Sequence, residues 1–238
     1  MSLAEPNAAL VEKLVIANRI LYERGVVDGF GHISVRHDKS NGHFLLSCNK
    51  APGLVKRADI LCYDLDGNLA VESSFRSYLE RFLHGEIYRS RPDVMSIVHS
   101  HSPSVIPFGV TGQRLRPVFH MSGFLGSGSS LFDIRESSGN TDLLIRNSGL
   151  GRELAKSLGQ HSCVLMRGHG STVVAPSIER AVYRAVYAEE NAKLQITAMG
   201  LGPVEYLTPE EAELAMNTNE GQVMRPWELW AQAIGAID

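Results

Sequence analysis

The sequence predicts one mixed α/β domain over residues 1–238, in which a central, mainly antiparallel sheet carries helices on both faces. With 238 residues and 44% apolar side chains, the chain is long enough for one compact core and short for two. Apolar residues at helical spacing alternate along it with short β-branched runs. The strict βαβ rhythm of a dinucleotide-binding fold is missing, and no Gly-x-Gly-x-x-Gly follows a predicted strand.

The first part of the chain predicts a helix followed by antiparallel strands. Apolar residues recur on one face over Asn7–Arg24, and Gly25 stands where this helix would end. The runs "HISVRHD" and "HFLLSC" predict two strands, and "ILCYDLDGNLAVE" predicts two more that turn at Asp66-Gly67. A second helix is expected over about Phe75–Arg89, because it has to stop before Pro92.

The second part continues with a short buried strand at "VMSIVHSH" and a Gly/Ser-rich loop at "FLGSGSS". A helix around Leu150–Leu158 precedes two strands, "CVLMRG" and "STVVA", and a long helix over Ile178–Met199. Two further helices, "PEEAELAM" and "PWELWAQAI", each open on a proline in the first turn.

Composition narrows the class of partner. The formal charge of -3 and the scattered Lys and Arg residues argue against nucleic acid and anionic membranes, so a small molecule is the expected partner. The cysteines Cys48, Cys62 and Cys163 are odd in number and far apart, which argues against a disulfide framework. The N-terminal residues lack a signal-peptide pattern, and no run is long enough for a membrane span. These features predict a cytoplasmic protein.

Three histidines and one glutamate form the candidate chemical site. In a strand, residues two apart face the same way, so His99 and His101 can offer two nitrogens to one metal ion. His169 also stands at the exit of an apolar strand, between two glycines. Glu80 lies on the predicted helix just before the histidine strand, and His84 follows one turn later. Taken alone, each histidine is more typical of a hydrogen-bonded core residue than of a metal ligand, and Glu80 is more typical of a solvated helix residue.

A divalent ion held by neutral imidazoles stays a Lewis acid, and a carboxylate beside it can complete the metal shell or move protons. This donor set is typical of catalytic sites, since structural zinc sites are usually closed and rich in cysteine. The metal itself stays open among zinc, manganese, iron and cobalt.

The stretches "SYLERFLHGEIYRSRPDVMSIVHSHSP" and "VLMRGHGSTVVA" resemble the class II aldolase and adducin-head family. Its pattern is a Glu, a His-x-His nineteen residues later and a distant His-Gly, and the resemblance spans nearly the whole chain. It implies His99, His101 and His169 as ligands of one divalent ion, with Glu80 as the acid/base group. It also implies a three-layer α/β/α sandwich and a homo-oligomer, typically a tetramer with sites between subunits.

The chain departs from the family's sugar-phosphate enzymes at their phosphate-binding positions. His32 replaces the Asn of the Gly-Asn-x-Ser loop, and the second loop reads "SCNKAPG". Tyr78 and Leu79 stand where those enzymes have a serine pair, and Met121 replaces their tyrosine proton donor. Because phosphate needs several converging hydrogen-bond donors, we expect a substrate without phosphate.

The stretches "GHISVR" and "ERFLHGEIY" resemble instead the branch of the family that decarboxylates hydroxylated aromatic or heteroaromatic dicarboxylic acids. The expected reaction is loss of carbon dioxide from a metal-chelated substrate, with Glu80 returning a proton to the ring. The expected substrate contacts are His32, Ser34, Arg36 and Ser47, with Arg36 suited to bidentate carboxylate binding.

Three other functions compete with this interpretation. A class II aldolase or epimerase would act on a small sugar phosphate or a hydroxy-keto acid. An adducin-like interaction module would keep the fold without chemistry, but it is expected to lose the ligands that this chain retains. A cupin dioxygenase also uses His-x-His, but several long helices fit that barrel poorly.

Overall fold

The computed structural model describes residues 3–236, and its centre is a sheet whose strands are far apart in the chain. Within that range, seven strands form one sheet in the order β3-β2-β1-β4-β7-β6-β5. They are β1 His32–Arg36, β2 His43–Ser47, β3 Ile60–Asp64, β4 Ser96–Ser100, β5 Ser130–Phe132, β6 Cys163–Met166 and β7 Gly170–Ala175. Every neighbouring pair is antiparallel except β5 and β6. The prediction of a mainly antiparallel sheet is confirmed.

The predicted helices appear in the predicted order, together with one short helix, α3, that was not predicted, and several carry the end signals expected of them. They are α1 Ala8–Glu23, α2 Arg81–Ser90, α3 Arg135–Ser138, α4 Ser148–Leu158, α5 Ile178–Leu201, α6 Pro209–Glu220 and α7 Met224–Ala233. The Asn7 side chain caps α1, and Gly25 follows that helix with φ +67°. Among residues 3–236, no helix combines the length and the apolar character that crossing a membrane requires.

The helices cover both faces of the sheet. Adjacent residues of a strand point to opposite faces, and Val98 and Ile97 of β4 accordingly belong to two different apolar clusters. On one face, β1 and β4 pack against α1, α5 and α7, and the cluster there includes Leu14, Ile20, Ile33, Val182, Trp227 and Trp230. On the other face, β2 and β4 pack against α2 and α4, and the cluster includes Phe44, Leu46, Leu83, Ile87, Leu154 and Leu158. The expected three-layer α/β/α arrangement is confirmed.

The second helix is shorter than predicted, and the difference moves a site residue. Residues 75–80 are not helical, because their backbone bonds to a neighbouring loop: the Asn49 N–H donates to the carbonyl of Arg76 at 2.7 Å. The Tyr78 hydroxyl donates to the carbonyl of Lys50 in that same loop. Consequently α2 begins at Arg81, and Glu80 is its N-terminal flanking residue rather than a residue of its middle.

Two strand predictions also need correction. The residues after the Asp66-Gly67 turn form only an isolated bridge between Leu69 and Tyr63, so no second strand is present there. The Gly/Ser-rich loop, in contrast, ends in the short strand β5, which pairs in parallel with β6. The serines and glycines of this loop are typical of turns, so the sequence did not indicate the strand that follows them.

Candidate metal centre

Strand pairing brings the three histidines together. His99 lies at the end of β4, His101 directly follows that strand, and His169 occupies the turn between β6 and β7. Because β4 pairs with β7 and Ser100 lies opposite Ser171, this turn comes beside His101. Gly170 permits the close approach, since a Cβ there would lie 2.2 Å from the Ser100 carbonyl oxygen.

The four side chains that the sequence singles out meet at one point. One ligand atom from each of Glu80, His99, His101 and His169 lies within 4.8 Å of the others. The Nε2 atoms of His101 and His169 are 3.0 Å apart, and Oε2 of Glu80 lies 3.4 Å from Nε2 of His99. Two imidazole nitrogens that share one ion at about 2.1 Å stand about 3.0–3.4 Å apart. The spacing therefore fits a single divalent ion.

Hydrogen bonds to the outer ring nitrogens orient two of these imidazoles. Nδ1 of His169 lies 3.0 Å from the Leu143 carbonyl oxygen, an acceptor that requires the ring proton on Nδ1. Nδ1 of His99 lies 3.4 Å from the Thr172 hydroxyl. The Nε2 lone pair of His169 is therefore free to point at the shared centre, and the Thr172 hydroxyl can accept the Nδ1 proton that leaves the same lone pair on His99.

The strongest sign of an additional partner at this point is Nε2 of His99. This atom is buried and, apart from the Glu80 carboxylate oxygen 3.4 Å away, has no hydrogen-bond partner within residues 3–236. A buried polar atom without a partner is costly, and a metal ion would satisfy it. The donor set and this unpaired nitrogen both fit a divalent ion.

Glu80 is held by the backbone of a distant loop. Its Oε1 accepts a hydrogen bond from the Ile145 N–H at 3.0 Å, which leaves Oε2 facing the histidines. Burial by itself raises the pKa of Glu80, but the nearby His99 and His169 outweigh burial and hold that pKa well below its usual range. The carboxyl group is therefore ionised at neutral pH.

The loop at residues 143–145 is a part of the site that sequence reasoning missed. The Leu143 carbonyl orients His169, the Ile145 N–H holds Glu80, and Leu144 lines the adjoining cavity. Leu143 has φ +68° and is the one non-glycine residue with positive φ among residues 3–236. Both polar contacts use backbone atoms, so no side-chain pattern signals them.

At least three imidazoles of this region are neutral at physiological pH. Burial, followed by the proximity of His84, holds the pKa of His32 well below its usual value. Burial, followed by the proximity of His99, lowers the pKa of His84 to about 3. Burial, followed by His99 and His169, lowers the pKa of His101 to about 4. Neutral imidazole is the form that binds a metal.

These lowered pKa values predict how stability depends on pH in metal-free protein. An unfolded imidazole takes up a proton near pH 6.5, whereas His84 and His101 in the folded chain do so only near pH 3 and 4. The free energy of unfolding should therefore be fully present above pH 6.5 and fall as the pH drops from there toward 4. Urea unfolding after chelator treatment measures it, and a constant value between pH 6.5 and 5 would contradict the prediction.

A cavity of about 500 Å³ opens over the four side chains. Its walls include the apolar or aromatic side chains of Phe30, Tyr78, Leu79 and Leu144. Asn49 and His32 also line it, and within residues 3–236 no lysine or arginine does. Such a cavity favours a flat, largely apolar substrate with its polar groups directed at the metal centre. The sequence identified the Tyr78-Leu79 pair only as a departure from the serine pair, and it missed Phe30 and Asn49.

The predicted substrate contacts differ in whether they line the cavity. His32 lines the cavity, but Ser34 and Ser47 are fully buried and do not. The Ser34 hydroxyl bonds to Nδ1 of His84 at 2.7 Å, and the Ser47 hydroxyl donates to the Tyr78 hydroxyl at 3.4 Å. Ser47 therefore stands behind Tyr78, which borders the cavity, whereas Ser34 lies deeper, bonded to His84, which does not line it.

Arg36 does not reach the cavity, so the expected carboxylate contact needs correction. Its guanidinium group is buried and donates to the carbonyls of Val94 at 2.8 Å, Arg91 at 3.0 Å and Tyr88. His32 and Arg36 occupy opposite ends of β1, about 13 Å apart along a strand of that length. Arg36 therefore secures the end of α2 instead of facing the metal centre.

This position predicts a structural role for Arg36. An Arg36→Leu substitution would remove the guanidinium donor from three buried carbonyls, of which that of Arg91 keeps the Val94 N–H at 3.1 Å. We expect the free energy of unfolding to fall by about 2–4 kcal/mol. Urea denaturation measures the loss, and kcat of the folded fraction should be retained. Unchanged stability with abolished turnover would instead restore the substrate-contact hypothesis.

The sequence and the fold of this chain are similar to those of known proteins. The profile of the family described as "Class II Aldolase and Adducin N-terminal domain" matches residues 12–196. Decarboxylase tropJ of Talaromyces stipitatus is 38% identical, over 96% of this chain and 95% of that protein. The 3,4-dihydroxyphthalate decarboxylase of Arthrobacter keyseri is 33% identical, over 82% and 81% of the two chains. Among solved structures, L-fuculose 1-phosphate aldolase from Glaciozyma antarctica PI12 superposes with a TM-score of 0.79 at 22% identity, over 96% and 90% of the two chains.

Proposed function

Since this chain belongs to the class II aldolase and adducin N-terminal domain family and is a carbon–carbon lyase, we propose that it decarboxylates a hydroxylated aromatic or heteroaromatic dicarboxylic acid. Two relatives more than 30% identical are named decarboxylases, and the name of one specifies 3,4-dihydroxyphthalate. The proposed cofactor is one divalent metal ion per chain.

The observation that carries this proposal is the composition of the cavity. Its walls are mostly apolar or aromatic, and within residues 3–236 no lysine or arginine lines them. Phe30 and Leu79, which are 69% and 50% exposed, offer apolar cavity surface to an aromatic ring. Within residues 3–236, the cavity wall therefore offers a sugar phosphate none of the cationic side chains that usually bind a phosphate group. The aldolase and epimerase alternative is therefore disfavoured.

The metal would be held by His99, His101 and His169, with Glu80 beside it. Manganese and zinc are the proposed ions, and iron or cobalt would suit the same imidazole nitrogens. A bound divalent ion supplies Lewis acidity, which stabilises negative charge on neighbouring substrate oxygens.

Glu80 is the proposed proton carrier. As an ionised carboxylate with Oε1 fixed by the Ile145 N–H, it presents Oε2 to the cavity, where it can accept the proton of a substrate hydroxyl. When the bond between the ring and the carboxylate breaks, carbon dioxide leaves and the electron pair stays on the ring carbon. Glu80 then delivers its proton to that carbon.

A carbon dioxide release assay tests the proposed function. We expect turnover of 3,4-dihydroxyphthalate or another ortho-hydroxy aromatic dicarboxylate when manganese or zinc is added, and none after chelator treatment. Fuculose 1-phosphate and ribulose 5-phosphate serve as controls that should not react. Rapid cleavage or epimerisation of either sugar phosphate, with no release of carbon dioxide from the aromatic acids, would reverse the assignment.

We also propose that the chain works as a homo-oligomer. Its last three helices expose large apolar side chains, among them Leu201, Leu214 and Leu229 at 86%, 70% and 65%. Burial of these side chains between copies would support association, and light scattering measures the assembled mass.

A further inference from the structure

A chain of four buried polar side chains leads from the cavity wall into the interior. Nδ1 of His32 lies 2.8 Å from Nε2 of His84, and Nδ1 of His84 lies 2.7 Å from the Ser34 hydroxyl. The Ser34 hydroxyl lies 2.8 Å from that of Tyr88. All four residues are at most 3% exposed, so water does not compete with these bonds. We call this set of residues the His32 relay.

The hydrogens of the relay can all point in one of two directions. In the first, Tyr88 donates to Ser34, Ser34 donates to Nδ1 of His84, and Nε2 of His84 donates to Nδ1 of His32. The remaining proton of His32 then sits on Nε2, the nitrogen left for the cavity that this residue lines. In the second direction every donor and acceptor is exchanged, and Nε2 of His32 carries a lone pair instead.

Tyr88 decides between the two directions. In the second, its hydroxyl needs an acceptor other than Ser34, and the Met95 carbonyl oxygen at 3.5 Å is the one that the described residues provide. That distance is far beyond the 2.7–2.8 Å typical of a hydroxyl donor. The same carbonyl already accepts the Arg36 N–H at 2.9 Å. The three bonds of the relay are 2.7–2.8 Å long in either direction, so the poor acceptor for Tyr88 is what favours the first.

We propose that His32 donates a hydrogen bond from Nε2 to an anionic oxygen of the substrate, and that His84, Ser34 and Tyr88 are positioning residues that keep its proton there. The proposal rests on the proposed function for the class of that oxygen, a carboxylate or a phenolate. Since no lysine or arginine of residues 3–236 lines the cavity, such an oxygen requires a donor of this kind.

The fixed proton has a second consequence for the neighbouring metal centre. The His32 ring lies 5.0 Å from the His99 ring, between centroids, so a lone pair on its Nε2 would stand close to the proposed ligands. A protonated Nε2 cannot bind a metal. The relay thus keeps His32 available to the substrate and leaves the ion to the other three histidines.

The tautomers of the two histidines are measurable directly. Long-range ¹H–¹⁵N correlation spectra of zinc-loaded protein with ¹⁵N-labelled histidine distinguish a proton on Nε2 from one on Nδ1, and His32→Gln and His84→Gln variants assign the signals. We expect both rings to carry the proton on Nε2. Protons on Nδ1 in both rings, or rings protonated on both nitrogens, would overturn the relay.

Two serine variants test whether the relay determines this tautomer. Ser34→Ala removes the hydroxyl that connects His84 to Tyr88, so both rings should become mixtures of the two tautomers. Ser96→Ala is the matched control, because Ser96 is equally buried but its hydroxyl donates to the Ser34 carbonyl outside the relay. A single unchanged tautomer in Ser34→Ala would exclude the positioning role.

Turnover tests the donor role separately. Against 3,4-dihydroxyphthalate, His32→Leu should lower kcat by roughly 10- to 100-fold, with a smaller change in KM, whereas His32→Gln keeps an amide donor and should recover part of the loss. Unaltered kcat in His32→Leu would refute the donor role. If the unaltered protein decarboxylates no aromatic acid at all, the proposed function fails, and the tautomer spectra still decide whether the relay stands.

Discussion

A Glu80→Gln substitution is expected to lower kcat by about 10²- to 10⁴-fold while leaving the metal bound, because it removes the proton carrier and little else. The amide oxygen can still accept the hydrogen bond of the Ile145 N–H, so the side chain should keep its position. The three histidines remain to hold the ion. Steady-state kinetics and elemental analysis of the same preparation measure the two quantities.

The matched control for Glu80 is Glu86, a buried glutamate of the following helix. Its carboxylate lies 3.7 Å from Arg89 and Arg152 and does not border the cavity. Glu86→Gln should leave kcat within about two-fold of the unaltered value. Two results would count against the assignment: full activity of Glu80→Gln, or an equal loss in both variants.

The second large effect concerns the ion itself. A His99→Ala, His101→Ala double variant removes two of the three proposed nitrogens, and we expect both the bound metal and the turnover to fall below detection. Elemental analysis of purified, dialysed protein measures the metal per chain. The unaltered protein should retain one divalent ion per chain.

The control for this experiment is His161→Ala, which removes an imidazole outside the group of four. It should keep the metal and the activity. Metal retained at one ion per chain in the double variant would show that the histidine cluster is not the binding site. Loss of metal in both variants would point to a general loss of the fold, which circular dichroism detects.

Local pattern was sufficient for most elements of this fold. The apolar spacing over Asn7–Arg24 predicts α1, and the short apolar and β-branched runs predict β1, β2, β6 and β7, because each pattern is typical of one backbone geometry. The spacing of His99 and His101 likewise placed both imidazoles on one side of a strand end. These features depend on residues close together in the chain.

Long-range contacts decided what the pattern could not. Residues 75–80 were expected to be helical, but the loop that contains Asn49 and Lys50 takes their hydrogen bonds, so Glu80 flanks α2 rather than lying within it. Similarly, β1 has one alternating pattern, yet His32 at one end reaches the cavity and Arg36 at the other binds backbone carbonyls. No local pattern separates these two residues, because their surroundings come from distant segments.

By itself, the sequence determined the order of most helices and strands, the donor set of three histidines and a glutamate, and the resemblance that indicated the family. Only the tertiary structure decided which residues face the cavity, how the Leu143–Ile145 loop orients His169 and Glu80, and how Tyr88 directs the protons of the His32 relay. The physical reason is that periodicity reports which side of its own element a residue occupies. Hydrogen bonds between distant segments, several of them made by backbone atoms common to every residue, determine what lies opposite it.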